Sequence, residues 1–210
     1  MPVGTLQGTL FAAGPDVGLR PLTEGVERIA LRDGAWVDVR RSWVVGADTL
    51  LGRLVDGVCW HAGRRPMYGR MVDVPRLDRF FDGGEQLPHP VLAAAMRSLD
   101  RRYGGILGER FRTVGMCLYR GGDDSVAWHG DTVGRGATED TVVAIVSLGA
   151  TRPFRLRRRG GGPARRFDLS SGDLLVMGGS CQRTFEHQVP KTARPVGARV
   201  SVQFRPAGVR

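Results

Sequence analysis

The sequence predicts a mainly β protein with flanking helices, built on a double-sheet jelly roll (a double-stranded β-helix). Three observations carry this expectation. After Arg112 the chain breaks into short segments of strand character, punctuated by Gly121-Gly122, Gly160-Gly161-Gly162 and Ser170-Ser171-Gly172, as two packed antiparallel sheets require. The stretch 142–148 is almost wholly apolar, which suits a strand covered on both faces. Helical periodicity occurs only upstream of this region. The 210 residues are expected to form a single domain, with 1–109 as an N-terminal α/β extension and 110–210 as the jelly-roll core.

Residues 1–27 are rich in Gly, Pro and Thr without a clear period and are expected to form an irregular arm. Ile29, Leu31, Asp33-Gly34, Trp36 and Val39 read as a hairpin around an Asp-Gly turn. Asp48 is expected to cap a helix running through Val58, with Leu50, Leu51, Leu54, Val55 and Val58 on its buried stripe. Residues 64–69 read as a basic loop leading into a short strand at 71–74. A second helix is expected from Pro90 to Tyr103, with Val91, Leu92, Ala95, Met96 and Leu99 inward and Gly104 ending it. Strands then follow near 113–120, 125–131, 141–148, 153–157, 165–169, 174–177, 183–188 and 198–205.

Hydrophobic residues make up 41% of the chain and no apolar run approaches eighteen residues, so a membrane span is not expected. The first residues, Met-Pro-Val-Gly-Thr-Leu, lack the charged start and apolar stretch of a signal peptide, and the cytoplasm is the expected location. Cys59, Cys117 and Cys181 have no metal-type spacing and read as reduced thiols. The net charge of +10 fits a polyanionic partner. It also fits a GC-rich coding sequence, since Lys191 is the only lysine and asparagine is absent.

The candidate chemistry centres on His129-Gly130-Asp131. In an extended strand residues i and i+2 share a face, so an imidazole and a carboxylate stand side by side. His187 is the natural third ligand, because His61 and His89 sit in Arg/Gly-rich and Pro-rich surroundings that look like loops. Two His and one carboxylate leave open positions on ferrous iron, as oxygenases need. Further on, Arg199 and Arg205 lie an even number of residues apart on a predicted strand and share its inward face. Two inward guanidiniums require an anionic partner, and a small dicarboxylate beside the metal supplies one. Trp128, which alternation turns away from the metal, is expected to pack in the core. The run from Arg155 to Arg159, with Arg165 and Arg166, reads either as a basic ribbon for phosphates or as a solvated hairpin tip.

With these motifs assembled, the chain resembles the AlkB family of Fe(II)- and 2-oxoglutarate-dependent dioxygenases. The resemblance rests on Leu118-Tyr119-Arg120, His129-Gly130-Asp131, the Ser147 and Gly172 neighbourhoods, Glu186-His187 and Arg199-x-Ser201-x-x-Phe204-Arg205, in order from about residue 110 to the end. It implies Fe(II) held by His129, Asp131 and His187, and 2-oxoglutarate held by Arg199, Tyr119, Ser201, Arg205 and the residue two before Tyr119. That residue is usually asparagine in the family and here is Cys117, a weak donor, so looser cosubstrate binding is expected. The neighbourhood of Trp60, Met67, Tyr68 and Arg70 corresponds to a substrate lid, although the strand after Tyr68 lacks the family's aromatic and Thr132-Val133 replace an acidic residue.

The implied activity is oxidative demethylation of alkylated bases such as 1-methyladenine and 3-methylcytosine in DNA or RNA, releasing formaldehyde, succinate and CO2. Single-stranded or damaged sites are expected to be easier substrates, since the base must leave its stack. A protein or small-molecule substrate is the alternative, and no obligate protein partner is expected.

Overall fold

The computed structural model describes residues 17–67 and 69–209, the side chains of residues 65–67 excepted. The elements in order are β1 (Gly18–Leu19), β2 (Val26–Ala30), β3 (Trp36–Arg40), β4 (Val44–Val45), α1 (Ala47–Gly57), β5 (His61–Met67) and β6 (Arg70–Phe81). Then come α2 (Pro90–Leu107), β7 (Phe111–Tyr119), β8 (Val126–His129), β9 (Val143–Gly149), β10 (Arg152–Arg158), β11 (Arg165–Leu169), β12 (Leu174–Gly178), α3 (Cys181–Thr184), β13 (Phe185–Val189) and β14 (Arg199–Pro206). Of the expected arm, residues 1–16 lie outside the described residues.

Two antiparallel sheets form the jelly roll. The larger has the order β2-β3-β12-β9-β14-β7-β6-β5 and the smaller β11-β10-β13-β8, while β1 and β4 form a separate two-stranded ribbon. The larger sheet buries both faces. On its outer face lie α1, through Leu50 and Leu54, and α2, through Val91, Leu92, Ala95, Leu99 and Tyr103, joined to Met116, Leu148, Val202 and Phe204. On its inner face Ile145, Leu175 and Met177 meet Phe154, Leu156 and Phe185 of the smaller sheet. Central strand β9 is accordingly buried from Val143 to Leu148, and each of its larger aliphatic side chains contributes about 1.5–3 kcal/mol by leaving water. The helices thus stiffen the sheet from behind and leave the inter-sheet space for a site.

Several expectations need correction. Asp48 does not cap α1; the N-cap is Gly46, whose φ of 65° suits glycine, while Asp48 in the first turn accepts a bond from Ser171 Oγ at 2.7 Å. Helix α2 continues past Gly104 and ends at Gly108, which takes the left-handed conformation (φ 67°) and donates its N–H to the Gly104 carbonyl. The basic loop and short strand are in fact one long hairpin, β5–β6, in which His61 pairs with Asp78 and Met67 with Arg70. His61 is therefore a strand residue, and His89 is the N-cap of α2, its Nδ1 accepting from the Val91 N–H at 3.2 Å. Trp128 is half-exposed, with the Arg157 guanidinium 4.0 Å above its ring; it lies on the outer side of the smaller sheet, away from the core. Among the described residues no helix is long and apolar enough to cross a membrane.

Candidate active site

The candidate metal-ligand cluster is made by strand register. His129 on β8 pairs directly with His187 on β13, which brings the two rings to 4.2 Å between centroids. Asp131 lies beyond the end of β8, not on the strand. Gly130 bends the chain there, its carbonyl accepting from the Thr132 N–H at 2.8 Å, and the Asp131 N–H donates to Gln182 Oε1 at 3.0 Å. Only glycine fits between the two ligands: a Cβ on Gly130 would stand 2.6 Å from the Gln182 carbonyl and 2.7 Å from Arg159 Nη2. One nitrogen or carboxylate oxygen from each of His129, Asp131 and His187 falls within 4.8 Å of the others.

Protonation favours ligation. His129 Nδ1 lies 2.9 Å from the Ala127 carbonyl; a carbonyl only accepts, so Nδ1 donates there and Nε2 is the nitrogen left to face a metal. Burial, reinforced by His129 and Arg205, pushes the His187 imidazole down to about 3 and keeps it neutral. Burial opposes ionisation of Asp131, but the Arg205 guanidinium, 2.8 Å away, and the two histidines outweigh it and hold the carboxyl far below the usual range. Phe154 packs against His187, the rings 5.1 Å apart and 23° from parallel.

Beside this cluster a cavity of about 210 Å³ opens between the sheets. Alternate residues of β14 line it, Arg199, Ser201, Gln203 and Arg205, as do Cys117 and Tyr119 of β7. The register places Tyr119 opposite Arg199 and Cys117 opposite Ser201. Arg199 is 1% exposed; its Nε donates to Ser147 Oγ at 2.9 Å, and Nη1 and Nη2 have no hydrogen-bond partner among the described residues. Burial, then neighbouring Cys117, pushes the Tyr119 phenol up to about 12, so it stays a hydrogen-bond donor.

The comparisons with known proteins agree with this geometry. A family model described as the 2OG-Fe(II) oxygenase superfamily matches residues 57–205. The chain is 30% identical over 212 residues to alpha-ketoglutarate-dependent dioxygenase alkB homolog 3 of Homo sapiens, a match covering 90% of this chain and 69% of the human protein. The chain belongs to the AlkB family. It is also 34% identical over 131 residues to DNA oxidative demethylase ALKBH2 of Arabidopsis thaliana, which covers 51% of this chain and 41% of that protein. The solved OsALKBH1 structure shares the fold at 16% identity, with a TM-score of 0.60 over 86% of this chain and 100% of the other.

As an AlkB-family member the protein is a 2-oxoglutarate-dependent dioxygenase that uses Fe(II). The residues present fit both groups. Two imidazoles and an ionised carboxylate suit ferrous iron. The two unsatisfied Nη groups of Arg199 form a fork that would suit a carboxylate.

The structure gathers His129, Asp131, His187, Cys117, Tyr119, Arg199, Ser201 and Arg205 around one cavity. It does not bring Trp60 there: the indole packs against the helical core and donates to the Val55 carbonyl at 3.2 Å. Arg70 is exposed at the tip of the β5–β6 hairpin, where Met67 pairs with it, and Tyr68 lies outside the described residues. Within the basic ribbon Arg157, Arg158 and Arg166 are paired with Glu186, Asp33 and Asp168. Six cavity residues escaped the sequence reading: the apolar Val126, Ile145 and Val189, and Gln203, Arg76 and Phe154. Gln203 was detectable from the two-residue period of β14; Arg76 and Phe154 depend on which strands become neighbours.

Proposed function

We propose that this AlkB-family dioxygenase oxidatively demethylates alkylated bases, such as 1-methyladenine and 3-methylcytosine, in DNA or RNA, with single strands preferred. The observation that carries the reading is its kinship to a DNA oxidative demethylase joined to candidate metal ligands and arginines gathered at one cavity. The exposed arginines Arg64, Arg70, Arg155 and Arg165 and the charge of +10 support a phosphate-bearing substrate.

Bound Fe(II) and 2-oxoglutarate would supply dioxygen activation and oxidation of a substrate N-methyl C–H bond, with loss of the hydroxymethyl carbon as formaldehyde, succinate and CO2 being the coproducts. The chain's own residues hold and orient. Arg205 keeps Asp131 ionised and fixed. Arg199 and Tyr119 anchor the cosubstrate's distal carboxylate, with Ser201 beside them and Cys117 in van der Waals support. His129, its side chain 38% exposed, stands at the mouth, where a flipped base would meet it, whereas buried His187 stays out of water.

One observation favours a second reading, a protein or small-molecule substrate. The aromatic residues lining the cavity, Tyr119 and Phe154, are 3% and 2% exposed, so neither presents a face for stacking on a base. Formaldehyde release from single-stranded DNA and RNA carrying 1-methyladenine or 3-methylcytosine separates the readings. The proposal expects methyl-dependent formaldehyde and substrate binding that weakens steeply with salt. Succinate formation that no methylated oligonucleotide stimulates would transfer the assignment to the second reading.

A further inference from the structure

We propose that Arg76 is a second cosubstrate-gripping residue, closing with Arg199 on the distal carboxylate of 2-oxoglutarate from the other side of Tyr119. Sheet register places it there. Leu77 of β6 pairs with Leu118 of β7, and the next residue of β7, Tyr119, pairs with Arg199 of β14. Antiparallel alternation therefore sets Arg76, Tyr119 and Arg199 in one row across three adjacent strands. All three line the same cavity.

Each guanidinium has free donor capacity. Among the described residues Arg76 Nε, like Nη1 and Nη2 of Arg199, is buried without a hydrogen-bond partner. Arg76 Nη1 reaches the Ser125 carbonyl at 3.4 Å, a long bond, and its other neighbour is the Cys117 thiol. Asp78, two residues along the same strand face, makes no ion pair with it among the described residues. Arg205 differs, because Asp131 neutralises it at 2.8 Å. The cavity thus presents three arginines, two of them without an acid. Burial without an acid disfavours the Arg199 cation, and half-buried Arg76 adds a second positive charge at the same cavity. The Cys117 thiol stands beside both but is a weak acceptor, whereas a carboxylate offers enough lone pairs for two guanidinium forks. The inference rests on the cosubstrate assignment and is independent of the substrate's identity.

Calorimetry on the Mn(II)-loaded protein tests it, comparing 2-oxoglutarate with pyruvate, which keeps the 2-oxoacid head but lacks the distal carboxylate. Arg76→Ala is expected to weaken 2-oxoglutarate roughly tenfold or more, the worth of a charge-assisted bond, and to leave pyruvate unchanged. Arg76→Lys keeps the charge without the planar fork and should fall between. Unchanged 2-oxoglutarate binding overturns the proposal, and so does equal weakening of both ligands, which marks a merely structural role. A raised KM for the methylated substrate with unchanged 2-oxoglutarate binding assigns Arg76 to the substrate and overturns it as well. Thermal unfolding verifies each variant's fold; should Arg76→Ala not fold, Arg76→Lys and Arg76→Gln carry the same comparison. Failure of the wild type itself to bind 2-oxoglutarate would instead sink the cosubstrate assignment.

Discussion

Replacing Arg199 with methionine should make the ligand-free protein more stable while removing most of its affinity for 2-oxoglutarate. Arg199 is a cation at 1% exposure whose two prongs, Nη1 and Nη2, have no hydrogen-bond partner among the described residues. Substituting an apolar side chain of similar length relieves a buried charge, worth about 1–4 kcal/mol. The Nε bond to Ser147 Oγ at 2.9 Å is lost, a penalty of about 0.5–1.5 kcal/mol. The difference spans about −0.5 to +3.5 kcal/mol and centres on a gain of about 1.5 kcal/mol, which raises Tm by roughly 3–6 °C for a chain of this size. Binding moves the other way. Two charge-assisted bonds at about 1.5–3 kcal/mol each sum to about 3–6 kcal/mol, a loss of affinity on the order of 10² to 10⁴. Calorimetric titration with 2-oxoglutarate and thermal unfolding of the ligand-free form read both quantities. A variant that loses several degrees in Tm yet binds 2-oxoglutarate as the wild type does would refute the reasoning.

Gly130→Ala should fold but bind Fe(II) or its Co(II) surrogate at least about tenfold more weakly, because a Cβ 2.6 Å from the Gln182 carbonyl shifts ligands that must hold their geometry; wild-type metal affinity in a metal titration would contradict this. His89 is held below the ordinary imidazole pKa, by burial first and then by Arg53. Its folded pKa is depressed, so the unfolded chain takes the proton first and His89's contribution, present above about pH 6.5, is lost as pH falls through that value. His89→Ser, a cap that does not titrate there, should flatten the fall of the urea midpoint between about pH 7 and pH 5, and an unaltered slope would speak against the assignment. Burial pushes the Cys181 thiol up to about 12 while Cys59 is exposed. Iodoacetamide on the native protein near neutral pH should therefore label Cys59 and spare Cys181 until unfolding; equal labelling of both would show the core around Cys181 to be open.

Much of this site was readable from local pattern. The period of two places Arg199, Ser201 and Arg205 on one strand face whatever the partners are, and the same holds for Cys117 and Tyr119. The His129–Asp131 pair was found for a partly wrong reason: the carboxylate arrives through the Gly130 bend and not by strand alternation. Arg76 was invisible because the strand carrying it was drawn to stop at 74, and because its meaning comes from Tyr119 and Arg199, residues distant in sequence that only the sheet order unites. Helix ends were misplaced where glycine chemistry was ambiguous. Gly104 and Gly105 continue α2 because Tyr103 before them and Leu107 after them pack on the core, Tyr103 Oη donating to Asp38 at 3.1 Å, so the stop falls at Gly108. Trp128 was assigned to the core by its apolarity, yet Arg157, itself tied to Glu186, covers its face at the surface.

The most direct test of the central claim is anaerobic loading with Fe(II) and 2-oxoglutarate, followed by admission of oxygen and quantification of succinate, for the wild type and for Asp131→Ala and His187→Ala. The account predicts iron-dependent succinate from the wild type and its near-complete loss in both variants, with the fold retained by circular dichroism. Succinate at wild-type levels from either variant, or none from the wild type with iron bound, would contradict the assignment of His129, Asp131 and His187 as the metal centre of a working dioxygenase.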